Sequence, residues 1–410
     1  MSFRCKSLAL LIAVPFSFLP SSAFSNEFQF QGIELDSGAS IMPSLYTGIG
    51  YENNIALTND NEIDSFFFQV TPSVNINLNP GEVLHELSFS SDIGRYASSD
   101  ADNYEDFFIS YAGMWEPTSR HRVNLSVDQT FAHQKRGSQQ TRFQLDRFNE
   151  VLQFNSNNTL LAYEFGSEVA RAQLGASIGY SSTNYTNFET FTSQFDLENY
   201  NLASWFHYRP GKVTSVSVDL SHNEVTYKND VAGLLSRNSN VTTLLVGAIW
   251  DGLAKTTGKF KVGVEQRRFD FSEREDLTNA AVDAEVVWSP KTYSQITLAA
   301  SRRTIEGVAN NDATLNTTFN VNWSHSWSEQ LTSRLGYDFL QRDEQGGSAN
   351  GAALIVSRKD NQHYVYAEFN KYLSKWAVLT TQLRLLTNKS NQAVFDYDNQ
   401  QLSIGVTIGL

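Results

Sequence analysis

Apolar residues fall on every second position of this chain, in segments of about ten, and the segments recur from end to end with no convincing amphipathic helix between them. Val70, Val74, Ile76 and Leu78 share one parity, while Gln69, Thr71, Asn75 and Asn77 share the other. Leu315, Phe319, Val321, Trp323 and Trp327 alternate with Asn316, Asn320, Asn322 and Ser324. In the last segment Leu402, Ile404, Val406, Ile408 and Leu410 alternate with Ser403, Gly405, Thr407 and Gly409. A period of two is a strand period, because successive side chains leave opposite faces of the backbone. Ten residues in a tilted strand are about what the hydrocarbon layer of a bilayer requires.

The connectors alternate in kind. Short turns are read at 79–81, 116–118, 165–167, 209–211, 251–252, 289–291, 328–330 and 373–375, which makes eight. Longer polar loops are read at 53–64, 97–103, 134–140, 182–192, 228–238, 272–276, 304–311, 342–361 and 388–398, which makes nine. Eight short and nine long connectors join 18 strands and leave both chain ends on the short-turn, periplasmic side. The pattern therefore predicts an all-β, transmembrane, antiparallel up-and-down barrel over 39–410, preceded by a short periplasmic segment at 26–38. Parity drifts over 143–165 and weakens over 363–372, and loss of one hairpin would give 16 strands.

Trp115, Trp250, Trp288 and Trp327 each close a strand directly before a short turn, on that strand's apolar parity. Four tryptophans at one level read as an interfacial girdle; the aromatics of a β-sandwich core would scatter along the strands. The opposite parity carries Lys259, Lys261, Glu265 and Arg267 on one strand and Asp283 and Glu285 on the next, with Gln295, Arg303, Arg334, Asp338, Gln382 and Arg384 nearby. Such charges cost about 2–4 kcal/mol each on the lipid face at mid-depth, so they are assigned to a wet lumen.

The first 25 residues read as a cleaved secretory signal: Arg4 and Lys6 lead, residues 8–19 are apolar, and Ala23-Phe24-Ser25 offers a cleavage site. Cys5, the single cysteine, lies inside it, so the mature chain has no thiol or disulfide. Without Arg4 and Lys6 the formal charge falls from -13 to -15, which leaves nucleic acid without a basic surface to bind.

Local motifs add little chemistry. Gly175-Ala176-Ser177-Ile178-Gly179 matches a nucleophile elbow, but that motif needs a strand-to-helix turn, and here it lies within an alternating strand with Ser177 on the lumen parity. The histidines at 85, 121, 133, 207, 222, 325 and 363 form no metal-ligand spacing, and residues 99–103 lack the glycine and closing glutamate of a calcium loop. Neither a metal nor a cofactor is expected. Trp205 beside His207, and Tyr364 with Tyr366, place aromatic rings on the lumen parity, where they could stack on sugar rings or pack against inward loops.

The ends of the barrel region carry a resemblance. Pro43-Ser44-Leu45 with Gly48-Ile49-Gly50-Tyr51-Glu52-Asn53-Asn54-Ile55, the turn Trp288-Ser289-Pro290-Lys291, and Phe395-Asp396-Tyr397-Asp398-Asn399 before the last strand are similar to the putative β-barrel porin 2 group. Two positions depart from its pattern: Leu410 stands where the group usually ends in Phe, and Asn399 where a basic residue is common. The group includes barrels found with capsule and exopolysaccharide assembly systems. The resemblance thus implies a non-enzymatic outer-membrane conduit or docking barrel for surface polysaccharide in a Gram-negative bacterium. Its partners would be outer-membrane lipid, the barrel-insertion machinery and periplasmic export components. A diffusion porin for small solutes is the alternative that the same lumen permits, and a lipase using Ser177 is a third.

Overall fold

The computed structural model describes residues 30–79, 81, 83–138, 141, 145–229, 236–253, 255–307, 311–346 and 357–410. The signal read at 1–25, Pro80 of the first turn and much of the loop read at 342–361 lie outside the described residues. A two-residue strand, Ile33–Glu34, precedes 18 long ones. In chain order these are β1 (Ala39–Glu52), β2 (Ser65–Leu78), β3 (Val83–Tyr96), β4 (Tyr104–Thr118), β5 (His121–Gln134) and β6 (Leu152–Phe165). Next come β7 (Ala172–Tyr185), β8 (Leu197–Tyr208), β9 (Thr214–Tyr227), β10 (Ser239–Leu253), β11 (Thr256–Phe269) and β12 (Leu277–Lys291). The ring is completed by β13 (Ser294–Glu306), β14 (Ala313–Ser328), β15 (Leu331–Gln345), β16 (Lys359–Ser374), β17 (Ala377–Ser390) and β18 (Tyr397–Gly409).

Each strand pairs antiparallel with the next, and β18 returns to β1 from Gln401↔Glu52 to Gly409↔Ser44, so no edge is left open. Followed once around, the registers accumulate a stagger of about 22 residues, which for this strand number sets a tilt of about 40° and a backbone radius of about 18 Å. The eight short and nine long connectors fall at opposite ends, with Ala39 and Gly409 both at the short-turn end.

Two local differences from the sequence reading have physical causes. Residues 116–118 belong to β4, and the turn is displaced to 119–120 because a bulge follows Trp115. Similar bulges follow Asp251, Trp288, Ser326 and Tyr372; each ends the ladder at the tryptophan level or beside it. The loop after β5 runs to residue 151 rather than 140. Parity drifts in β6 because its inward side chains are themselves apolar and covered: Phe154, Leu160 and Ala162 are all buried.

The outer wall is apolar, with Phe66, Phe68, Leu174, Ile178, Leu202, Val246, Phe260, Val264, Leu402 and Ile404 exposed. Trp115, Trp288 and Trp327 are exposed on it at one level, and Trp250 lies at the same level with its indole N–H donating to Thr256 (3.1 Å). A second aromatic level includes Tyr180 against Tyr200 (ring centroids 5.1 Å) and Tyr51 against Phe66 (5.2 Å). About nine residues of tilted strand separate the levels, about 23 Å along the axis, close to the apolar band of about 25 Å that a barrel presents to lipid.

At the seam the N–H of Gly32 donates to the Leu410 carbonyl (2.8 Å), and the Phe30 ring takes the space that a Cβ on Gly409 would need. Pairing therefore extends to the last residues of the chain, Leu410 included.

Candidate functional site: the lumen and its rim

The inner wall is built by the parity that alternates with the apolar face. Lys259 pairs with Asp283 (2.9 Å) and Lys261 with Asp219, whose other oxygen lies 3.9 Å from His207. Glu265 accepts from the Thr304 backbone N–H (2.7 Å) and the Thr243 hydroxyl (3.3 Å). Arg267, buried, donates to Glu306 (2.7 Å) and Ser239 (2.9 Å), and Glu306 also accepts from the Tyr227 hydroxyl (2.9 Å). Asp338 accepts from Asn320 (2.8 Å), Arg384 donates to Gln382 (2.9 Å), and Arg334 stands opposite Glu368 in the β15–β16 register. Glu285 lies opposite Lys259. The positions expected to line the lumen thus share one wall, spread from β11 to β17.

The aromatic candidates lie against the wall. The Trp205 indole occupies the space that a Cβ on Gly175 would need, and its N–H donates to Glu164 (3.0 Å). Tyr366 covers Gly336 in the same way, its hydroxyl accepts from Asn322, and Tyr364 sits beside it (5.5 Å). Trp205 also accounts for the elbow-like motif: position 175 must be glycine to admit the indole. Ser177 lies mid-strand between Ala162 and Ala203, buried, with no hydrogen-bond partner for its hydroxyl among the described residues.

The rim was not legible in the sequence. Four loop arginines each tie neighbouring loops together. Arg136 holds Asp102 through two nitrogens (2.9 and 2.5 Å) and also Ser99 (3.1 Å). Arg237 donates to the Gln194 carbonyl (2.6 Å) and lies 4.0 Å above the Tyr227 ring. Arg274 donates to the Ser236 carbonyl (2.7 Å) and pairs with Asp312. Arg358 bonds Glu344 (2.7 Å) and lies 4.2 Å above Phe395. Smaller contacts join the remaining loops: Asn187 to the Val151 carbonyl (2.9 Å), Asn391 to that of Ser357 (2.8 Å) and Asn59 to that of Ala393 (3.0 Å). Burial, followed by the neighbouring Arg237 guanidinium, pushes Arg274 below its ordinary arginine value. Burial likewise raises Asp196, although its carboxylate accepts the Tyr185 N–H (2.7 Å).

One loop leaves the wall. Lys135, the first residue after β5, bonds Glu52 of β1 (2.8 Å), four strands away or about 19 Å along the sheet, so the chain must turn inward there. Asn399 donates to the same Glu52 oxygen (2.8 Å), so at this carboxylate the positive charge comes from Lys135 rather than from position 399. Gly137 has φ 73°, and a Cβ there would run into the Ala56 carbonyl, so at this point the loop after β5 abuts the loop after β1 as closely as backbones allow. Gly137→Ala should open this contact. Limited proteolysis of the folded protein would then cut within 135–151 faster than in wild type.

The sequence matches the family model "Putative beta-barrel porin 2" over residues 38–410. No curated protein matches it. Similar solved structures include OpdK of Pseudomonas aeruginosa with vanillate, at 12% identity and TM-score 0.48, covering 90% of this chain and 99% of that one. A BenF-like porin from Pseudomonas fluorescens Pf-5 has 10% identity and TM-score 0.47, over 92% and 100%. For the FrpB iron transporter of Neisseria meningitidis the values are 10% and 0.46, over 85% of this chain and 62% of that one, so the chain spans under two thirds of its length. With the closed barrel, its apolar band and a family match over nearly the whole of it, the chain belongs to the putative β-barrel porin 2 family of outer-membrane barrels.

Proposed function

We propose that this protein is a passive diffusion porin for small hydrophilic solutes, set in the outer membrane of a Gram-negative bacterium with both termini periplasmic. The observation that carries the reading is the wall itself: a closed ring of 18 strands with ions and amides along its inner face and apolar side chains outside. A backbone radius of about 18 Å leaves room for water after side chains and the inward loop are subtracted. Rim bonds that tie each loop to its neighbours favour a mouth of fixed shape, and nothing in this reading requires an energy source. Outer-membrane lipid and the barrel-insertion machinery are the partners it needs.

Purified protein in planar bilayers should give steady open-channel steps in salt solution. A barrel folded by heat-modifiable gel migration yet electrically silent would overturn the reading. The polysaccharide conduit rests on family resemblance and on a polar lumen dotted with aromatic rings; the family description does not speak for it, and Trp205 and Tyr366 lie packed against the wall. A deletion strain that loses surface polysaccharide while keeping solute uptake would restore it, with periplasmic export components as partners. Catalysis at Ser177 has no support from its mid-strand setting.

A further inference from the structure

We infer that the channel passes cations in preference to anions; this rests on the porin reading and names its solute class. Lys259, Lys261, Arg122, Lys135 and Arg267 each have a carboxylate partner: Asp283, Asp219, Glu164, Glu52 and Glu306. Arg334 faces Glu368, and Arg303 acts on Glu265. Most of the positive charge on the inner wall is thus spent on neighbouring acids.

Among the described residues, several carboxylates have uncharged hydrogen-bond donors and no ion pair. Asp92 accepts from Gln69 (2.7 Å), Thr71 (3.3 Å) and Tyr104 (3.3 Å); Asp128 accepts from Asn158 (3.4 Å), and Asp338 from Asn320. Asp106 accepts from the His133 backbone N–H (3.0 Å) and lies 2.9 Å from its Nδ1, an ion pair whenever that imidazole is protonated. Neutral donors orient a carboxylate without cancelling its charge. These acids occupy two separated arcs, β3–β5 and β15, so they bias the field across the lumen rather than mark one binding pocket.

One detail shows that this excess is costly to the fold. Asp92 and Asp106 are directly opposed in the β3–β4 register, and like charges in that relation destabilise a sheet. A fold optimised for stability alone would place a cation or an amide at one of the two positions. A permeating cation relieves the repulsion, and an anion adds to it. Acidic rings select cations in this way, and low-dielectric walls focus the field where the lumen is narrow. Lys135, Arg136 and Gly137 turn inward on this β1–β6 side, and Lys135 and Arg136 are already paired with Glu52 and Asp102.

The test is the reversal potential of the full-length protein in planar bilayers across a potassium chloride gradient. Wild type should show a severalfold preference for potassium over chloride. Asp92→Asn with Asp128→Asn should bring the ratio toward parity, and Lys259→Gln with Lys261→Gln, which releases Asp283 and Asp219, should raise it. Heat-modifiable migration checks that each variant is folded. Because the two double variants are expected to move selectivity in opposite directions, loss of folding in one leaves the other decisive. An open channel with no preference, or one for chloride, overturns this inference and leaves the porin reading standing. A folded channel without conductance overturns both.

Discussion

Val246→Arg is expected to destabilise the folded barrel by about 2–4 kcal/mol, the cost of an arginine facing lipid near the bilayer midplane. Val246 is 45% exposed on the outer face, between the tryptophan level and the upper aromatic level, and pairs with Val218 and Val262, also exposed. No lumen charge lies within its reach, because the sheet separates the two faces. Reversible unfolding in denaturant with lipid or detergent would measure the loss. The neighbouring position tests the assignment of faces: Leu245 lies on the inner parity directly opposite Asp219, so Leu245→Arg finds a carboxylate rather than lipid and should cost less. Equal losses at 245 and 246 would mean that the faces are misassigned.

Arg136→Ala should have the largest effect at the rim. Removing one partner of a buried ion pair leaves the other charge desolvated, at a cost of about 3–5 kcal/mol, and Asp102 is only 5% exposed. Ser99 and the Phe148 carbonyl lose a donor as well. The barrel wall does not depend on these bonds, so the loss should appear as release of residues 135–151. Rapid proteolysis there and noisier single-channel current are expected, with little change in the unfolding of the strands. Arg136→Lys cannot reproduce the two-nitrogen grip and should restore only part of the wild-type behaviour. Arg136→Ala combined with Asp102→Ala should recover more than the single change, since no buried charge is then left alone. If Arg136→Ala is as protease-resistant as wild type, the pair does not hold the loop.

Much of the wall was legible in the chain. Alternation assigns Val70 and Gln69, or Leu402 and Ser403, to opposite faces because a strand leaves no other choice. Connector length gives the strand number and the common end of both termini, because hairpins in a barrel must alternate ends. The tryptophan level follows from where Trp115, Trp250, Trp288 and Trp327 stand relative to their turns. The bulges beside them were not legible, since each sits at a strand end, where too few residues follow for the shift in parity to show. Nor was the true length of the loop after β5. Its last residues, Phe148 and Val151, are as apolar as strand residues, yet both are buried in the rim, where Phe148 packs against Phe191 (5.2 Å).

The lumen divides in the same way. That Lys259, Lys261, Asp283 and Arg334 face inward needed only parity and the cost of charge in lipid. Which charges cancel needed register: Lys259 meets Asp283 and Lys261 reaches Asp219 across two strand boundaries, while Asp92 meets Asp106. Glycine positions were likewise silent until neighbours were known, as with Gly175 under Trp205 and Gly336 under Tyr366. Sequence by itself determined the class of wall, the number of strands and the two chemistries of its faces, because these follow from a local period of two and from the solvent each face must meet. Only the tertiary structure decided which charges pair, how the loops lock and where one of them turns inward, because those depend on contacts between strands and loops far apart in the chain.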